Sequence, residues 1–315
     1  MSLDFVEQLD FESKFFTLYK LSEGTYGAIS KENSGMGSNA GFIDLGDISI
    51  IIDTTLNADA AKDLKMANLH YTRKNPEYIV ITHYHMDHII GNSIFDQPTQ
   101  IITSDRTLNN IKNENPKRIE EYKKMDLTEM EEALKKERDE VKRQDIENDL
   151  KFIRSVKAEN FKIREPNLTF KNECIIYGEE RIARIMTVKK AHTDGDAIIF
   201  IPNDEVLFAG DLLFARSDPW LGSGDPEGWI SVTDELMAID YKVVVPGHGN
   251  LATKQDFSLQ KEYIKEIISL VKNRINSGED PTQIKREDFS YKFQAWKSPI
   301  LEWNVNFLTE LFKKS

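Results

Sequence analysis

The chain has 315 residues, with 41 Lys and Arg against 53 Asp and Glu and a formal charge of −12, which argues against a protein that tracks nucleic-acid phosphates. Its 40% apolar content suffices for a large core, and a single cysteine, Cys174, excludes an internal disulfide framework and a thiolate-rich structural zinc site. No apolar run reaches the ~18 residues a membrane span needs, and Asp4, Glu7, Asp10 and Glu12 interrupt the stretch where a secretory leader would be apolar, so a cytoplasmic protein is expected.

Short runs rich in Ile, Val and Phe predict strands at Phe42–Leu45 and Ile48–Ile52, followed by a helix over Ala58–Tyr71 that carries His70 as a surface residue. Strands Tyr78–Ile81 and Gln100–Thr103 come next. Residues 106–160 then change character: no glycine, one proline at Pro116, balanced charges, and apolar residues at Leu127, Met130, Leu134, Val141, Ile146, Leu150 and Ile153. This pattern predicts a helical pair inserted between strands. Its charged faces suit solvent, and a lid or dimer surface is the alternative. Strands resume at Cys174–Tyr177, with Cys174 read as a small buried thiol, then Arg181–Val188, Ala197–Ile201, Val206–Ala209 and Val243–Val245, the last two flanking a helix at Glu227–Ile239. Helices Phe257–Ile275 and Pro299–Phe312 form a C-terminal extension over 256–315. The order implies an α/β protein, taken as one domain over 1–315.

Three of the six histidines fall within six residues, in Thr82-His83-Tyr84-His85-Met86-Asp87-His88. The segment starts where the strand Tyr78–Ile81 ends, and loops at strand C-termini are where α/β proteins build sites. There His83 and His85 can converge on one ion while Asp87 and His88 turn toward another. His192, Asp211 and His248 each follow a predicted strand, beside Gly195, Gly210, Gly247 and Gly249, which suit tight turns. Five His and two Asp are too many for one tetrahedral ion. They suit two ions sharing a carboxylate, with a one-ion site on the same residues as the alternative.

With these motifs the chain resembles the metallo-β-lactamase superfamily. His-x-His-x-Asp-His at 83–88, then His192, Asp211 and His248, and the early Ile51-Ile52-Asp53-Thr54 match its motifs in order, over roughly residues 15–105 and 165–255. The resemblance implies an αββα sandwich of two mixed β-sheets flanked by helices, with metals along one edge. It implies that His83, His85 and His192 hold a first ion, that Asp87, His88 and His248 hold a second, and that Asp211 bridges them. It also implies that Asp53 accepts a hydrogen bond near the ligand loop and fixes its orientation. Thr82 and Thr193 either hydrogen-bond the ligands or cap turns. Asp211 stands where the first lactamase subclass has Cys, and Leu212–Trp220 lacks the Cys-Gly-Arg segment of glyoxalase II proteins. Gly37-Ser38-Asn39-Ala40-Gly41, His192–Ile201 and Pro219-Trp220-Leu221-Gly222 are most similar to a sparsely characterised branch that includes quinoprotein-relay proteins.

The expected activity is metal-dependent hydrolysis of a small ester, thioester, lactone or amide, by a hydroxide that two divalent ions activate. Zinc is the first choice for this imidazole-rich set, with iron or manganese compatible. Two such ions with Asp87, Asp211 and a hydroxide leave about +1 at the centre, which suits an anionic or carbonyl-bearing small molecule. Asp87 is expected to orient the hydroxide and carry its proton, and Trp220 and Trp229 to wall the substrate pocket. The alternatives are an iron-dependent oxidoreductase resembling the sulfur dioxygenases and a non-catalytic metal or partner binder. An exposed apolar stripe on the last helix would suit a homodimer.

Overall fold

The computed structural model describes residues 3–296 and 300–313. One sheet follows chain order through β1 (Glu7–Gln8), β2 (Phe16–Ser22), β3 (Thr25–Ser30), β4 (Ala40–Asp44), β5 (Ser49–Ile52), β6 (Tyr78–Val80), β7 (Gln100–Ser104) and β8 (Leu168–Phe170). It is antiparallel as far as β5 and parallel from β5 to β8. The other comprises β9 (Glu173–Tyr177), β10 (Ile182–Thr187), β11 (Ala197–Ile201), β12 (Val206–Phe214) and β13 (Val243–His248), antiparallel except for the β12–β13 pair.

Side-chain alternation assembles the layers. Ile50 and Ile52 enter a core between the sheets with Ile199, Ile201, Val243 and Val245, while Ile51 points the other way, to Ala60 and Leu64 of α1 (Ala58–Thr72). A strand buried on both faces reads as a continuous apolar run, as Ser49-Ile50-Ile51-Ile52 does. The outer face of the second sheet, with Ile198, Phe200, Leu207 and Val244, packs on the helices over Pro226–Met237 and after Val243–His248. Full burial of each such side chain contributes ~1.5–3 kcal/mol. The result is the αββα sandwich expected from the sequence.

Between β6 and β7 lies the one-turn α2 (Met86–Ile89). Between β7 and β8 the structure has four helices where the sequence suggests two: α3 (Asp105–Asn113), α4 (Asn115–Lys124), α5 (Thr128–Lys136) and α6 (Glu140–Lys157). Pro116 sits in the first turn of α4, where its missing N–H costs nothing, and Asp139 caps α6. No residue of α5 is buried, and Val141 is exposed. The apolar stripe is therefore core only at Leu150 and Ile153, with Val156 beside them. The β2–β3 hairpin, turning at Glu23-Gly24 with Gly24 at φ +83°, and the short β1 and β8 carry too few apolar residues to announce themselves.

After β12 comes α7 (Pro226–Met237), capped by Asp225 with Pro226 at its start. After β13 comes α8 (Lys254–Ser277), opened by a Thr253–Asp256 capping box and closed by Gly278 in the left-handed region. The short α9 (Tyr291–Gln294) and then α10 (Leu301–Lys313) complete the chain, and Pro299 of the expected last helix lies outside the described residues. Val305 and Leu308 are buried in the same core as Ile264 and Ile267 of α8, so the stripe on α10 is core rather than a free face. No helix among the described residues is long and apolar enough to cross a membrane.

Candidate metal centre

The seven candidate ligands meet at one edge of the sandwich. His83 and His85 leave the end of β6, and Asp87 and His88 ride on α2. His192 sits in the β10–β11 loop and His248 at the end of β13. Asp211 lies within β12 rather than beyond it, where Gly210 at φ +51° and two register shifts against β13 bend the strand. Such an irregularity re-aims a side chain. Gly247 is tied to the same spot, since a Cβ there would collide with Asp211 Oδ1.

Two donor groups result, each with its atoms within 4.8 Å of one another: His83, His85, His192 and Asp211, and Asp87, His88, Asp211 and His248. Asp211 belongs to both. Its Oδ2 lies 3.3 Å from His192 Nε2, 3.6 Å from His83 Nε2 and 3.3 Å from His248 Nε2, and its Oδ1 lies 3.0 Å from His88 Nε2. Asp87 Oδ2 lies 3.2 Å from His248 Nε2 and 3.5 Å from His88 Nε2.

Protein groups hold the outer nitrogens of four of the five histidines. His88 Nδ1 donates to Asp53 Oδ2 at 2.7 Å, and Asp53, at φ +54°, also accepts from Thr82 N and Thr82 Oγ1 at 2.9 and 2.8 Å. Because the Thr82 hydroxyl proton goes to Asp53, its oxygen is free to accept from His83 Nδ1 at 3.0 Å. His192 Nδ1 faces the Trp220 carbonyl at 3.1 Å. A carbonyl only accepts, so the proton is on Nδ1 and Nε2 is bare. His85 Nε2 pairs with Ser223 Oγ at 3.0 Å, and that oxygen accepts from Trp220 Nε1.

Burial and these neighbours split the histidines into two kinds. Burial, together with adjacent imidazoles, holds His83 well below its ordinary value, pushes His85 to about 3 and sends His192 to about 4. Burial lowers His88 and His248 too, but Asp211 and Asp87 outweigh it, holding His88 well above the ordinary value and His248 at about 10. Burial raises Asp87 and Asp211, yet the same histidines overcome it and keep both carboxyls ionised.

A cation fits this set. His83 Nε2 is buried without a hydrogen-bond partner, and His88 Nε2 and Asp211 Oδ1 face each other at 3.0 Å outside hydrogen-bond geometry; an orphaned buried group costs ~1–3 kcal/mol. All three point into the cluster. Imidazole and carboxylate donors without thiolate suit zinc, iron or manganese.

Trp220 lines a cavity of about 550 Å³ over the cluster, together with His85, Asp87, Asp211 and His248. Trp229 does not. It is 0% exposed, donates Nε1–H to the Leu212 carbonyl at 3.1 Å, and packs 5.4 Å from the His192 ring. The indole is large enough to fill the space beneath His192, so the expectation of a second pocket wall fails there. Thr193 hydrogen-bonds Asp196 rather than a ligand side chain: its N–H and hydroxyl both donate there, and the buried Asp196 carboxyl is pushed up to about 7. His70 is exposed and Cys174 half-buried.

Several supporting residues escape sequence reasoning. Asn39 donates to the Pro246 and Gly249 carbonyls at 2.9 and 2.8 Å, and its N–H bonds the Gly247 carbonyl, clasping the turn that carries His248. Asn304 of α10, 1% exposed, accepts from Leu221 N at 3.0 Å and donates to the Pro219 carbonyl at 2.8 Å. It thereby pins the loop that holds His192 and His85 from outside. A lone Asn inside an apolar stripe is the one signal the letters offered.

Comparison with known proteins follows this geometry. The model of the family described as "Metallo-beta-lactamase superfamily" matches residues 34–248. Among solved structures, the sec-alkylsulfatase Pisa1 from Pseudomonas sp. superposes over 94% of this chain and 50% of its own, at TM-score 0.67 and 16% identity. The chain thus spans half of that enzyme. A metallo-beta-lactamase from Pontibacter korlensis gives TM-score 0.53 at 17% identity, covering 82% of this chain and 99% of its own. VMB-1 gives 0.58 at 16%, covering 81% and 98%. At such identities the likeness is one of fold. Among curated proteins, a sequence search gives no match.

Proposed function

The chain belongs to the metallo-beta-lactamase superfamily, and on that premise we propose that it is a hydrolase of a small ester, thioester, lactone or amide, working with two divalent cations, zinc first. The observation that carries this reading is that Asp211 belongs to both donor groups, with His83 Nε2 buried beside it and without a hydrogen-bond partner. Bound there, such cations supply a water acidified toward neutrality and a Lewis acid for the substrate carbonyl.

The chain's own groups account for the rest. His83, His85 and His192 are held neutral with their outer nitrogens engaged, which suits donation from the inward ones. Asp87 is a quarter exposed and opens on the cavity, which supports a role in orienting the attacking water and passing its proton to the leaving group. Trp220 offers an apolar wall to a small substrate. We place this chemistry in the cytoplasm.

The test is a panel of esters, thioesters, lactones and β-lactams, with a secondary alkyl sulfate added because of the alkylsulfatase likeness. Zinc-loaded protein should turn over at least one, with activity lost to a chelator and restored by metal. Asp87→Ala, assayed with enough zinc for elemental analysis to show both ions bound, should lose ~100-fold or more in kcat. Two bound ions with no turnover across the panel would overturn the proposal.

A further inference from the structure

The helices between β7 and β8 do more than cover the centre. One face of α4 opens on the metal cavity through Asn115, Arg118 and Tyr122, residues three and four apart and therefore neighbours on one side of the helix. Asn115 fixes that face to the ligand loop. Its Nδ2 donates to the carbonyl of Tyr84, between His83 and His85, at 3.1 Å. With the amide nitrogen so committed, Oδ1 is the free end of the side chain, and it is buried with no partner although the residue is only 2% exposed. A lone acceptor in such a place calls for a donor N–H or O–H from whatever enters.

One turn further on, Arg118 lines the same cavity, and among the described residues its guanidinium makes no ion pair or hydrogen bond. Among the described residues outside the ligand cluster, Asp149 is the only other charged one that lines it. Asp149 also lines the larger adjoining cleft, where Glu32, Asp145 and Asp256 outnumber Lys31 and Arg216, so Arg118 is the cation on the α4 side of the cavity. The cavity also has apolar lining: Tyr122 and Phe152, edge to face at 5.2 Å, together with Trp220 and Ile300. A volume of about 550 Å³ falls in the range of small-molecule sites.

From this juxtaposition we infer that α4 reads the substrate: Arg118 takes an oxyanion, Asn115 takes an amide N–H close to it, and the aromatic walls take an apolar side group. The substrate class is an acylated amino acid or a compound of the same chemistry, presented with its reacting carbonyl toward the cluster. This rests on the hydrolase reading and deepens it. Guanidinium and carboxylate pair through two parallel hydrogen bonds, so Lys is a poor replacement.

The experiment measures binding, so it is decided whether or not any substrate turns over. Zinc-loaded protein is titrated by calorimetry with N-(mercaptoacetyl)leucine and with its carboxamide counterpart, the thiol serving as a zinc-seeking anchor in both. Wild type should bind the carboxylate about tenfold more tightly. Arg118→Ala should erase the preference by losing more affinity for the carboxylate than for the carboxamide, and Arg118→Lys should restore only part of it. Asn115→Ala removes the acceptor and should weaken both ligands alike. Equal affinities in wild type, no binding of either ligand, or a preference that survives Arg118→Ala each overturn the inference. Thermal unfolding of each variant separates lost recognition from lost fold.

Discussion

The Trp220 carbonyl accepts a hydrogen bond from His192 Nδ1 at 3.1 Å, and the residues on either side of it, Pro219 and Leu221, are both bonded to Asn304 on the last helix. Asn304→Ala should therefore act at a distance. Two buried backbone groups lose their partner, costing ~1–3 kcal/mol each, and the carbonyl that orients His192 loosens. We expect a lower melting temperature and ~10-fold weaker metal retention in competition with a chelator, the scale at which outer partners of ligating histidines matter. Unchanged metal affinity in a folded variant would dismiss the coupling.

Asp53→Asn tests the other end of the cluster. The carboxylate accepts from His88 Nδ1, Thr82 N and Thr82 Oγ1 at once, and a carboxamide offers only one acceptor oxygen to the three donors. Metal affinity should fall ~10–100-fold, most at the group that contains His88. Elemental analysis after dialysis against graded chelator would read it.

Gly247→Ala places a methyl group against Asp211 Oδ1. Since Asp211 belongs to both donor groups, the variant should lose both ions together while circular dichroism shows the sandwich intact. Stepwise loss of one ion would contradict a shared carboxylate.

Loading should also be visible as acid. Without metal, His88 and His248 hold their protons well above neutral pH because Asp87 and Asp211 face them, while His83, His85 and His192 are neutral. At pH 7 zinc must expel about two protons from the group containing His88 and His248, and none from the histidines of the other. Acidification of an incoming water adds to that count. Titration in buffers of different ionisation enthalpy would count them. Above pH ~10, where His248 deprotonates unaided, its share of the release should vanish.

The legible part of this protein is the part written as local pattern. The run Ile50-Ile51-Ile52 announces a strand buried on both faces, and a histidine cluster at the end of Tyr78–Val80 announces the site. What the letters conceal depends on which distant segments meet. Trp229 reads as an aromatic near the ligand loops, yet its depth beneath His192 follows from α7 packing on the second sheet. Ser223 gains its meaning from His85, 138 residues earlier. The two helices expected over 106–160 are four because the chain breaks at Glu114, at Met125–Leu127 and at Glu137–Asp139, and charged segments with little burial leave no strong period to mark such breaks.

The family match ends at His248, and a chain cut there would keep all seven candidate ligands. It would lack the helix that carries Asn304 and, ahead of that helix, Arg286, whose guanidinium grips Asp218 just before the Trp220 loop. Motif boundaries and the boundary of the working unit thus differ by more than fifty residues, and a truncation guided by the former would remove the scaffolding that keeps two imidazoles aimed.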